Sequence, residues 1–192
     1  MSKIVISGYY GFANAGDEAM LTAIIKALRS TEKSVDLTVL SGNPEATAAK
    51  HRVSSIYRFN PLEIFKSLYD CELLLSGGGS LLQDVTSKRS LLYYLSIIAL
   101  GIILKKKVML FAQGIGPIHS GILRRLTKLI CSHVDLITVR DQDSLYELRR
   151  IGIPAEKVQL TADAVLTLPQ EDIRQGKELL ERFHVPQEKM LI

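Results

Sequence analysis

The 192-residue sequence contains no tryptophan, two cysteines and four histidines. Cys71 and Cys131 are far apart, lie in apolar surroundings and lack metal-ligand spacing. That excludes a disulfide framework and points to two buried, reduced thiols in a cytoplasmic protein. His51, His119, His133 and His184 show no metal spacing either, so no metal is expected. Each reads as a surface or loop residue, and only His119 falls near the edge of interest below. Basic blocks are scarce. Lys105–Lys107 is the longest, and no basic–aromatic interleaving accompanies it. The net charge of +4 therefore suits an anionic small molecule or membrane surface better than nucleic acid. Long apolar runs are also missing. Leu91–Leu104 is apolar but shorter than the ~20 residues a spanning helix needs. It reads as a buried helix, with an interfacial contact of its lysine-flanked end as the alternative. The N-terminus, with a lone Lys3 and a very short apolar run, fits no signal peptide.

What remains is an ordinary globular balance, 47% hydrophobic and 23% charged. Short apolar runs alternate with amphipathic stretches. Strands are predicted at "KIVISG" (3–8), "VDLTVLSG" (35–42), "CELLLSG" (71–77), "KVMLFAQ" (107–113), "VDLITV" (134–139) and "EKVQL" (156–160). Helical spacing follows each of the first five, as at Met20, Leu21, Ile24, Ile25 and Leu28. Further helices are expected over 44–50, 60–70 and 170–185. Six strands alternating with helices mean an α/β fold, Rossmann-like, with a mostly parallel sheet covered on both faces. The first 185 residues read as one domain. Residues 186–192 read as a linker and the start of a further, missing domain.

In such sheets the ligand lies beyond the carboxyl ends of the strands. Four distinctive loops fall on that edge: Gly8–Asp17, Ser76–Asp84, Gln113–Pro117 and Arg140–Asp141. Gly8, Gly11 and Gly16 do not match the dinucleotide fingerprint, and no Gly-Lys-Ser/Thr follows. Asp17 and Glu18 open the first helix, where carboxylates favour the dipole but repel a phosphate. They either begin the helix or serve as a base or hydroxyl-binding pair. Tyr10 and Phe12 suit stacking on a sugar or an enol. Gly77–Gly79 implies close backbone approach. Gln113 ends a strand where it could bond a ligand oxygen. Arg140 could clamp a carboxylate or phosphate, or pair with Asp141, Asp143 or Asp163.

The strings "GYYGFANAGDEAML", "SGGGSLLQD", "AQGIGP", "TVRDQDS" and "TADAV" occur in this order at strand ends. Together they resemble the polysaccharide pyruvyl transferase family, most closely its CsaB-type bacterial cell-wall members. The resemblance implies the N-terminal half of a GT-B-type transferase, two Rossmann-like domains facing across a cleft. It implies pyruvyl transfer from phosphoenolpyruvate, without a cofactor, to an N-acetylmannosamine unit of a cell-wall polysaccharide or its lipid-linked precursor. The resulting ketal serves surface-layer anchoring. A peripheral contact at the inner membrane face would fit a lipid-linked acceptor. Tyr10, Phe12 and Arg140 match family site positions. With the loop residues Asn14, Gly16, Gly78, Gly79 and Gln113 they are the candidate substrate-binding residues. The general acid is expected in the missing domain, so residues 1–192 alone are expected to be inactive. A nucleotide-sugar-dependent glycosyltransferase of the same architecture is the alternative.

Overall fold

The computed structural model describes residues 2–32, 34–169, 178 and 180–184. Seven strands form one parallel sheet: β1 (Ser2–Tyr10), β2 (Val35–Ser41), β3 (Ser54–Tyr57), β4 (Leu73–Gly77), β5 (Lys107–Gln113), β6 (Leu136–Val139) and β7 (Val158–Leu160). Their order is β3-β2-β1-β4-β5-β6-β7. The crossovers contain α1 (Ala15–Thr31), α2 (Pro44–His51), α3 (Pro61–Asp70), α4 (Lys88–Ile103), α5 (Gly121–Cys131) and α6 (Gln142–Ile151). The strand order reverses between β1 and β4, which opens a crevice at their carboxyl ends.

The period of two along each strand divides the interior in two. Ile4, Ile6, Leu37, Val39 and Leu75 face α1 in one core. Val5, Leu40, Leu74, Val108 and Ile137 face α3 to α6 in the other. The apolar α4 is a core helix as expected, burying Leu91, Tyr94, Leu95, Ile97 and Ile98. Gly101 lets it approach the sheet, because a Cβ there would stand 2.8 Å from a Leu74 methyl. No described helix is long and apolar enough to cross a membrane.

Local chemistry sets the helix starts. Asn14, Asn43 and Asn60 cap α1, α2 and α3 through their side-chain oxygens, and Asp141 caps α6. Pro44 and Pro61 occupy first-turn positions. The sheet has one more strand than expected. β3 is a four-residue edge strand, Ser54-Ser55-Ile56-Tyr57, with no apolar run to reveal it. β1 also extends two residues beyond its predicted end, to Tyr10. The predicted helix over 170–185 falls largely, and the predicted linker over 186–192 wholly, outside the described residues.

Candidate functional site

The crevice at the β1/β4 switch is built on the cap of α1. Asn14 Oδ1 accepts hydrogen bonds from the amides of Gly16 (3.0 Å) and Asp17 (3.4 Å). This turns Asp17 toward the β4 loop. A Cβ on Gly79 would lie 2.8 Å from Asp17 Oδ1, so only glycine, here at φ +65°, permits that approach. From the other side comes Arg140, at the end of β6. Its Nη1 donates to Asp163 Oδ2 at 2.9 Å and its Nη2 to Ser80 Oγ at 3.3 Å. Its Nε lies 3.5 Å from Asp141 Oδ2. The resulting cavity has a volume of about 580 Å³, with Asn14, Asp17, Ser80, Arg140, Asp163 and Val165 in its lining. A second cavity of about 360 Å³ adjoins it at Ser80 and carries Asp141, Asp143 and Tyr146.

Carboxyl groups dominate this site. Arg140 is the one cation in the lining of either cavity, among the described residues, and it is already engaged by two carboxylates. Asp17 is half-buried. Burial raises its carboxyl above the usual aspartate range, the Glu18 charge adds to this, and Arg140 opposes it. A carboxylate with a raised pKa is a stronger base than an exposed aspartate and takes a proton more readily. The arrangement can accept and donate hydrogen bonds to a polyol. Among the described residues, the cation in its lining is committed to carboxylates rather than free for a phosphate.

Several sequence-predicted residues have other roles. Tyr10 is fully buried. As the last residue of the lengthened β1 it points into the core, and its hydroxyl donates to the Gly77 carbonyl. It faces the core rather than the open edge, and burial keeps its hydroxyl protonated by raising its pKa well above the ordinary value. Gly78, at φ +90°, is glycine because of that ring: a Cβ would meet Tyr10 Oη at 2.7 Å. Gln113 is buried beneath the edge, its Nε2 donating to Ser76 Oγ at 3.0 Å, and cannot reach a ligand on the surface. Glu18 is engaged as a latch. It accepts from Gly11 N at 3.0 Å, and its other oxygen meets Lys50 Nζ (3.2 Å) and His51 Nε2 (3.1 Å). Burial pushes its carboxyl up, but these hydrogen bonds outweigh it and hold the group below the usual glutamate range. Arg140 takes the ion-pair alternative, with Asp141 and Asp163, rather than standing free as a clamp. The exposed His119 ring meets Asp84 at 3.1 Å, and Asp84 also accepts from the amides of His119 and Ser120.

Phe12, Asn14, Gly16 and Gly79 remain on the open edge. Phe12 stacks on Tyr9 with ring centroids 4.4 Å apart, so Tyr9 supplies the exposed second ring assigned to Tyr10. Beneath them lies a residue that sequence reasoning missed. The buried Arg58 guanidinium sits among the rings of Tyr9, Phe12, Phe59, Tyr93 and Tyr94, closest to Tyr93 at 4.3 Å. It donates to Gly8 O and Tyr94 Oη, both at 3.3 Å. Its Nε has no partner, and no carboxylate pairs with it among the described residues. The string Tyr57-Arg58-Phe59 at the end of the unrecognised β3 was the available signal.

The same topology occurs in solved structures. Anabaena HepE in complex with UDP-glucose matches with a TM-score of 0.62 at 12% identity, covering 97% of this chain and 51% of that one. UDP-GlcNAc 2-epimerase from Methanocaldococcus jannaschii matches at 0.60 and 16% identity, over 86% of this chain and 46% of its own. A glycosyltransferase from Rickettsia africae ESF-5 matches at 0.56 and 10% identity, over 97% and 50%. At these identities the likeness is one of fold, a GT-B-like Rossmann unit. The chain spans about half the length of these structures. No curated protein matches it. The family model described as polysaccharide pyruvyl transferase matches residues 14–189. That stretch begins at the cap of α1 and carries Asp17, Gly79, Arg140 and Asp163 together, and on this match the chain belongs to the polysaccharide pyruvyl transferase family.

Proposed function

We propose that this chain forms the acceptor-binding half of an enzyme that transfers a pyruvyl group from phosphoenolpyruvate to two hydroxyls of a cell-wall sugar. The favoured acceptor is an N-acetylmannosamine unit, as in CsaB-type members. The observation that carries the reading, beside family membership, is the Asp17–Arg140–Asp163 cluster at the switch point. It presents a raised carboxyl and a paired carboxylate, and Arg140, the cation in the cavity lining among the described residues, is engaged by carboxylates, which suits sugar hydroxyls better than a phosphate. The donor's carboxylate and phosphate are then held by a second, C-terminal half.

The reaction sets the roles. The methylene carbon of the enol gains a proton, one sugar oxygen bonds to the central carbon, the carbon–oxygen bond to phosphate breaks, and the second sugar oxygen closes the ketal. Of the two hydroxyl protons displaced, one balances the new methyl group and the other leaves with phosphate. In this reading Asp17 receives a hydroxyl proton as the hydroxyl oxygen attacks, a role its raised carboxyl supports. Asp163, fixed by Arg140, orients the neighbouring hydroxyl. Phe12 and Tyr9 offer a stacking surface for the sugar ring.

The test is phosphate release from phosphoenolpyruvate by the two-domain enzyme with an N-acetylmannosaminide acceptor. Release that requires both substrates is expected. Turnover of a UDP-sugar without response to phosphoenolpyruvate would replace this reading with nucleotide-sugar transfer. The UDP-glucose bound to the similarly folded Anabaena HepE is the observation favouring that second reading.

A further inference from the structure

The helical face formed by α3 and α4 is apolar on its outside as well as its inside. Leu62 is 81% exposed, Ile103 73%, Tyr69 62% and Phe59 58%, and Phe65 and Leu92 are exposed beside them. On α3, Leu62, Phe65 and Tyr69 follow the i, i+3, i+7 spacing of one helix stripe. Between the helices runs a groove of about 560 Å³, lined by Phe59, Ile64, Tyr93, Ile97, Leu100 and Ile103. Patches of this kind mark interaction sites rather than ordinary surface.

The charges nearest the groove are mainly positive. Lys66 follows Phe65 on α3, Arg89 lies one turn before Tyr93 on α4, and Lys105 and Lys106 close the lower end. Lys106 Nζ donates to the Tyr69 carbonyl at 2.6 Å and lies 5.5 Å from the Tyr69 ring. The acidic residues of α3, Glu63 and Asp70, are turned about 80° or more from each residue of the apolar stripe. At the upper end of the groove, Arg58 lines the wall with a guanidinium that meets no carboxylate among the described residues.

We propose that this face docks on an anionic lipid surface, with the α3/α4 groove receiving a hydrocarbon chain and the lysine and arginine rim meeting phosphate headgroups. Exposed aromatic and aliphatic side chains with a cationic border are the make-up of an interfacial surface. A second copy of the chain is a poorer occupant, because a two-fold contact would set Lys66, Arg89, Lys105 and Lys106 against one another. The face also meets the candidate site, since Arg58 touches both Phe12 and Phe59. A membrane-held acceptor would thus be presented at the cleft. That use rests on the proposed pyruvyl transfer; the docking does not.

The experiment is co-sedimentation of the purified chain with phosphatidylcholine vesicles, with and without a quarter phosphatidylglycerol. Binding to the anionic vesicles is expected to exceed that to neutral ones by about tenfold or more at low salt and to weaken as salt is added. Leu62→Asp with Ile103→Asp, both at exposed positions, should abolish it while the circular dichroism spectrum is unchanged. Lys66→Glu with Lys105→Glu should remove the preference for anionic vesicles. Absent or charge-indifferent binding, or binding that survives the Asp pair, overturns the proposal. So does a dimer in solution that the Asp pair splits, which would make this face a self-contact. Vesicle binding by this chain, with no phosphoenolpyruvate-dependent phosphate release by the two-domain enzyme, would sink the pyruvyl reading and leave this one standing.

Discussion

The half-buried Asp17 is a cost to the fold at neutral pH. Its carboxyl is raised by burial and by Glu18, so the folded chain holds this proton more tightly than the unfolded one. The associated cost is absent below the unfolded value, about 3.9, and develops as pH rises through the raised folded value. Asp17→Asn should therefore stabilise the chain at pH 7 and lose that advantage near pH 3.5, as read from urea midpoints at the two pH values. In the active enzyme the same substitution should lower turnover by about 10²–10⁴-fold. Tyr10 behaves oppositely. Tyr10→Phe removes a buried hydrogen bond to the Gly77 carbonyl and should cost about 1–3 kcal/mol in denaturant unfolding. Acceptor affinity should be unchanged. A clear loss of affinity with normal stability would return Tyr10 to the site. At this scale the sequence showed which residue types gather at the edge but not their partners. Arg140, Glu18 and Gln113 carry the right chemistry for ligands, and which of them is already engaged depends on contacts that span 7 to 60 residues.

Among the elements, helix starts were the most legible feature. Asn60 with Pro61 marked α3 directly, because capping is chemistry between near neighbours. The cap of α1 has a second duty. Asn14 orients the amides of Gly16 and Asp17, and so aims the Asp17 carboxyl. Asn14→Ala should destabilise the chain by about 1 kcal/mol and weaken acceptor binding, measured by calorimetry. A stability loss with full affinity would confine Asn14 to the cap. Strands were less legible at the sheet border. β3 lies at the edge, pairs only with β2, and buries too little to need an apolar run. Missing it hid Arg58. The end of β1 was misplaced for a related reason: "GYY" reads as loop, yet Tyr10 fills the space under Gly78 and prolongs the strand.

For the whole molecule, alternation of short strands and helices sufficed for the parallel sheet, and the strand-end loops gather on one edge of it as expected. The cleft itself needs two walls, and the chain spans about half of each solved structure it resembles. Residues 1–192 alone are expected to bind an N-acetylmannosaminide acceptor yet to release no phosphate from phosphoenolpyruvate; detectable turnover by this chain would reject the division of labour. The edge loops are also tied in series. Gly42 N donates to Tyr10 O, the Tyr10 hydroxyl to Gly77 O, Gly114 N to Gly79 O, and Gly116 N to Leu82 O. Loops joined in this way cannot loosen one at a time. In native-state deuterium exchange the amides of Gly42, Gly114 and Gly116 should share one opening free energy and one denaturant dependence. The rim would then act as a single cooperative plate, so that a sugar seated at Asp17 slows exchange as far away as Gly116.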